Sequence, residues 1–230
     1  MGQVVAIHQP NFLPWIGYFQ KLMNSDIFIF LDNVQFSKGS YTNRVQININ
    51  GEPKWLTVPV STTLGAAINL IEINQNEHGI KKQLKTIQTH YAKAPFFNKL
   101  YGMIEGILLG QYGKLSEYNI QSIHSILNIL EIEKKIILAS KLNIDENDPT
   151  QRLIKLVKSV GGTSYLHGKG GVNYQDGEAF DNAGIELKEN KVKLDSYQQL
   201  SSRTFIPGLS IIDTLFNLGG NHTRTLINSR

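Results

Sequence analysis

Residues 4–32 read VVAIHQPNFLPWIGYFQKLMNSDIFIFLD. The apolar run 4–7 has the length and composition of a buried strand, and Pro10 ends it. Pro14 suits the first turn of a helix. Trp15, Phe19 and Leu22 then recur at helical spacing, which predicts a helix over 14–24. After Ser25-Asp26 comes a second continuous apolar run, 27–31. Strand, helix and strand in this order predict a parallel pair joined by a right-handed crossover.

The rest of the chain extends this unit. Residues 45–49 alternate apolar and polar, Asn50-Gly51 is a strong hairpin signal, and 55–60 is the predicted returning strand. Ile80, Leu84, Ile87 and Tyr91 form one helical stripe. Pro95 breaks it, and helices are predicted over 96–109 and 116–130. Residues 136–139 read as a strand. Asp148 caps a helix with Pro149 at its first position, running to about 160 and stopped by Gly161-Gly162. Residues 163–166 and 185–187 read as strands. Residues 210–216 read as a closing helix, with Gly219-Gly220 past its end. The pattern is α/β: a Rossmann-like parallel sheet with a β-hairpin and a helical insertion. One domain over 1–230 is expected, with a mainly helical subdomain at about 76–133.

Composition narrows the function. A 41% hydrophobic and 18% charged chain of 230 residues is an ordinary globular protein. The absence of cysteine excludes disulfides, thiolate metal sites and cysteine nucleophiles. A net charge of +4 is a weak anion attractor when spread over a whole surface. No signal peptide or myristoylation pattern opens the sequence, and no apolar stretch approaches the ~20 residues needed to span a bilayer. The cytoplasm is the expected location, without membrane insertion.

Chemistry-bearing residues concentrate in 8–59. His8 stands at the carboxyl end of the first strand, where open α/β sheets bind ligands. Asp32 ends the second strand on the same edge, so a parallel pair brings the two near each other. His8 is the candidate acid or base, with Asp32 to orient it. Gln9, Asn11 and Tyr18, in and after a turn made rigid by two prolines, are candidate substrate ligands, as are Gln35 and Asn43. Arg44 is the best anion candidate, because a guanidinium grips phosphate or carboxylate bidentately. Each has an ordinary structural alternative: a histidine bonded to backbone, a turn aspartate, a solvated arginine.

The loop HGKGG at 167–171 carries Lys169 among glycines, able to meet a phosphate, although it has neither Walker nor dinucleotide spacing. Between His78 and Glu105 stand five lysines and two histidines with no acidic residue. That stretch is either an RNA-facing surface or, more commonly, a solvated helix face. No cofactor motif is present and no bound metal is implied.

The blocks AIHQPNFLPWIGYF, DIFIFLDNVQFSKGSYTNR and WLTVPV, with YLHGKGGVNYQDGEAFDNAGIEL and FIPGLSIIDTLFNLGG near the C-terminus, resemble the WbqC-like protein family. Its members are associated with gene clusters for O-antigen and other surface polysaccharides. The resemblance therefore implies a lipopolysaccharide-pathway transferase acting on a nucleotide-activated amino sugar, moving an acyl or aminoacyl group. The opening strand–turn–helix is also similar to the nucleotidyltransferase superfamily, but Trp15, Gly17 and Tyr18 stand where its H-x-G-H signature would fall, and both histidines are missing. A nucleotide-binding enzyme with altered catalytic groups is one alternative. A non-catalytic binding or assembly module is another.

Overall fold

The computed structural model describes residues 2–74, 76–168 and 176–229. In chain order the elements are β1 (Gln3–His8), α1 (Ile16–Met23), β2 (Ile27–Phe30), β3 (Arg44–Ile49), β4 (Glu52–Thr57), β5 (Val60–Ser61), β6 (Glu72–Ile73), α2 (Glu77–Tyr91), α3 (Phe97–Leu108), α4 (Leu115–Ile129), β7 (Lys135–Leu138), α5 (Pro149–Ser159), β8 (Gly162–His167), α6 (Gly177–Asn182), β9 (Glu186–Glu189) and α7 (Ile211–Asn228). They form two compact units. One comprises Met1–Gln9, Tyr18–Asn33 and Lys134–Lys193; the other comprises Pro10–Gly17, Val34–Glu133 and Leu194–Arg230.

The first unit is built on a five-stranded sheet of order β7-β2-β1-β8-β9. Every pairing is parallel, as the α/β reading expects. The chain starts in the middle, adds β2 and β7 on one side of β1, then adds β8 and β9 on the other. The direction of growth therefore reverses between β1 and β8, and at such a switch point the carboxyl ends of the strands open a crevice. One face of the sheet carries Val5, Ile7, Ile27, Ile29 and Tyr165, packed with Ile154 and Val157 of α5 and Phe180 of α6. On α1, Tyr18 reaches Phe28 with ring centroids 5.5 Å apart. Asp148 caps α5 by accepting from the Gln151 amide, with Pro149 in its first turn.

In the second unit β3 and β4 form the expected hairpin. Asn50 (φ 55°) and Gly51 (φ 84°) make its turn, as an Asn-Gly two-residue loop requires. The returning strand begins directly after that turn, at Glu52 rather than at 55, because a two-residue loop sets Glu52 opposite Ile49. It ends at Thr57. Pro59, which has no N–H to give a ladder, separates it from β5, and β5 pairs with β6 instead. Helices α2, α3 and α4 belong to this unit, together with the hairpin and α7.

The closing helix differs from the expectation. Gly219 does not lie past its end: at φ 75° it interrupts a helical segment that resumes and reaches Asn228. The continuation buries Thr223 and Ile227, so it still has an apolar face to cover. A Cβ at Gly219 would meet the Phe96 ring at 2.7 Å, which is why glycine is needed there.

Among the described residues no helix is long and apolar enough to cross a membrane.

Candidate functional site at the sheet switch point

His8 ends β1 and His167 ends β8, so the two histidines flank the switch point. His8 Nδ1 lies 3.0 Å from the Gln9 carbonyl. A carbonyl only accepts, so in that bond Nδ1 carries the proton and Nε2 keeps its lone pair. His167 repeats the device, with Nδ1 3.2 Å from the Gly168 carbonyl. The His8 ring is fixed further by Tyr18, whose ring meets it edge-on at 4.7 Å and whose hydroxyl donates to the same Gln9 carbonyl at 3.1 Å.

Lys21 completes the group. It is 6% exposed, and its ammonium donates to the Ile7 carbonyl at 2.8 Å. The Val4 and His8 carbonyls accept from Asp26 and Leu31, on the β2 side. Carbonyls alternate in direction along a strand, so that of Ile7 faces β8. Lys21 therefore reaches the β1–β8 gap, and its Nζ lies 6.0 Å from the centroid of the Tyr165 ring. No carboxylate among the described residues pairs with it.

A buried lysine without a counter-ion is rare, since desolvation disfavours the charged form. Burial lowers its pKa from 10.5 to about 7. For His8 burial is the first cause and the Lys21 charge the second; together they push it to about 3. The imidazole is only half-buried by accessible area, so the firm part is the direction: His8 is neutral at neutral pH. It can accept a proton or a hydrogen bond at Nε2 but cannot deliver a proton as imidazolium. Lys21 is the group poised to titrate near neutrality.

Asp32 ends on the same edge but serves the other side of β2. Its carboxylate accepts from the Ser140 hydroxyl at 2.6 Å and the Ser140 amide at 3.0 Å, and it makes no hydrogen bond to His8. The Gln9 carbonyl, rather than Asp32, orients His8.

Of the residues proposed from sequence as substrate ligands, Gln9 and Tyr18 lie with His8 in the first unit, and Lys169 falls outside the described residues. Asn11, Gln35, Asn43 and Arg44 belong to the second unit. There Asn119, fully buried, donates to the Pro10 carbonyl at 2.8 Å and the Thr42 carbonyl at 2.7 Å, and the Phe12 amide donates to the Tyr41 carbonyl at 3.0 Å. The proline turn is thereby tied to the segment holding Asn43 and Arg44. Asn11 is 7% exposed, and its amide bonds to no described residue. Asn43 donates to the Val58 carbonyl at 3.2 Å while its Oδ1 stays buried without a partner. The Gln35 side chain is solvent-exposed. A cavity of about 480 Å³ elsewhere in this unit, lined by Ile73, Ile80, Leu108 and Tyr112 among others, holds no lysine, arginine or histidine.

Lys21 and Asn119 were not singled out by sequence reasoning. One signal was available for Lys21: it is the only Lys, Arg, Asp or Glu in residues 1–25. Asn119 gave none, since an asparagine within a helical stripe looks like any solvated polar residue. Among the described residues no group of three or more His, Asp or Glu side chains is placed to hold a metal ion.

The fold and this edge together define an α/β protein of Rossmann-like topology with a polar, cationic switch point. The model of the WbqC-like protein family matches residues 9–225, and the chain belongs to that family. It is also similar to the uncharacterized protein Rv1507c of Mycobacterium tuberculosis (strain ATCC 25618 / H37Rv), 29% identical over 220 residues that cover 94% of each chain.

Proposed function

We propose that the protein is a cytoplasmic transferase of surface-polysaccharide synthesis that moves an acyl or aminoacyl group onto the amino group of a nucleotide-activated sugar. The observation that carries this reading is Lys21: a buried ammonium without a carboxylate, held at the switch point of a parallel sheet. An anionic ligand group would supply the missing counter-charge. The polysaccharide context comes from what the family resemblance implies.

In this scheme the sugar amine attacks the acyl carbonyl. The N–C bond forms, the carbonyl becomes an oxyanion facing Lys21, and the amine proton passes to Nε2 of His8. Collapse of the oxyanion breaks the bond to the leaving group, which departs with that proton. Asn11, Asn43 and Arg44 remain the proposed substrate-holding side chains of the second unit. Asp32 supports the edge through Ser140.

One observation favours a nucleotide-binding enzyme of altered mechanism as the second reading. Two histidines end the adjacent strands at the switch point, each presenting Nε2. That reading expects ATP with magnesium to bind and amino-sugar nucleotides to bind no better than the free nucleoside diphosphate.

The test is a thermal-shift screen of the wild-type protein and Lys21→Met against nucleotides, nucleotide sugars, acyl-CoAs and amino acids. Ligands that bind only the native state raise its melting temperature. An amino-sugar nucleotide should stabilise the wild type and leave Lys21→Met unmoved. A shift with ATP alone moves the assignment to the second reading, and no shift with any ligand to a non-catalytic binding module.

A further inference from the structure

Arg44 stands on β3, and its guanidinium carbon lies 4.0 Å from the centroid of the Trp55 ring, on β4. Gly39 also packs against it: a Cβ there would sit 3.4 Å from that carbon, and Gly39 holds φ 73°. The guanidinium is thus positioned by contacts that use none of its donors. No carboxylate or carbonyl among the described residues accepts from it, and its Nε is buried without a partner. Buried donors are almost always satisfied, so an arginine held in this way is prepared for a ligand.

Beside it, Tyr41 and Trp55 are 45% and 43% exposed, with ring centroids 5.7 Å apart. Exposed aromatic rings next to an arginine offer stacking area for a base and a fork for phosphate. The nearby Lys54 is already paired with Glu52, so the patch has the charge for one phosphate group rather than for a track of them.

We infer that Arg44, Trp55 and Tyr41 form a nucleoside diphosphate site, with the phosphate oxygens on the Arg44 fork and the base stacked on the exposed aromatic pair. The choice of a nucleoside diphosphate rests on the substrate class proposed above; the site itself rests on the unpaired, stacked arginine. Trp55 is its own reporter. The chain has two tryptophans, so Trp15→Phe leaves one indole, and an unchanged melting temperature checks that this background is folded.

UDP and GDP are titrated against Trp55 fluorescence, with inorganic pyrophosphate and an oligouridylate as comparisons. Saturable quenching by a nucleoside diphosphate is expected, with pyrophosphate about tenfold weaker or worse. Arg44→Lys, which keeps the charge but loses the fork, should weaken nucleotide binding by about tenfold. Tyr41→Ala should weaken the nucleotide and not pyrophosphate. The inference is overturned by no quenching at millimolar nucleotide, by equal affinity for Arg44→Lys and its parent, by pyrophosphate binding as tightly as the nucleotides, or by an oligouridylate binding more tightly than UDP, which marks an RNA surface. Nucleotide binding lost in Arg44→Lys, in a protein that transfers no acyl group to any amino sugar, sustains the site and ends the transferase reading.

Discussion

Replacing Lys21 by Met should make the ligand-free protein more stable while removing its ligand response. The magnitude follows from burial. A fall in pKa from 10.5 to about 7, at ~1.4 kcal/mol per pKa unit, means that the native state gives up about 5 kcal/mol when the ammonium form must be retained. Methionine fills a similar volume without charge, but it leaves the Ile7 carbonyl without its donor, which costs about 1–2 kcal/mol. The net expectation is ~3 kcal/mol of added stability at pH 6, measured by urea unfolding. The sign in pH is set by a depressed folded pKa: the Lys21 contribution is fully present above 10.5 and is lost as pH falls through about 7. The advantage of Lys21→Met should therefore be largest at and below neutrality and shrink steadily toward pH 10. If Lys21→Met is less stable than wild type at pH 6, or if the difference does not change with pH, Lys21 is not an uncompensated buried cation and the switch-point reasoning fails.

Other expectations concern separate parts of the molecule. His8→Ala should fold normally and lower kcat by ~10²–10⁴, the usual range for a lost general base, and the kcat/KM profile should break near the Lys21 pKa of about 7 rather than at that of His8. Asp213 is fully buried and accepts from the hydroxyls of Tyr91 (2.9 Å) and Tyr197 (2.7 Å) and from the Gln199 amide (3.2 Å), so Asp213→Ala should cost ~3 kcal/mol or more by chemical denaturation through the donors left unpaired. Burial raises the Asp213 pKa above 3.8; its contribution is fully present below 3.8 and is lost as pH rises through the folded value, a dependence that Asp213→Asn should abolish. Gly219→Ala should cost ~3 kcal/mol in the same assay, from the disallowed backbone and the clash with Phe96.

Much of the fold could be read from local pattern. The strand–helix–strand opening, the Asn50-Gly51 turn and the Asp148 cap are short-range devices, and each lies where its residues place it. The last helix went astray because a glycine pair is a stop signal only when nothing beyond it has an apolar face to bury, and Thr223 and Ile227 do. The site was partly legible. His8 and Asp32 were placed on the right edge by strand order alone, but the partnership expected between them depends on side-chain direction, and Ser140 from the far side of β2 takes the carboxylate.

By itself, then, the sequence determined the elements, the parallel start of the sheet and the edge where polar groups gather, because periodicity, caps and turns act over a few residues. Only the tertiary structure decided that β8 rather than β2 faces the crevice, that Asn119 ties the proline turn to Thr42, and that Lys21 is buried without a counter-ion. Desolvation is a property of the atoms packed around a group, and those around Lys21 include β8, which the chain reaches only after the whole hairpin and helical block.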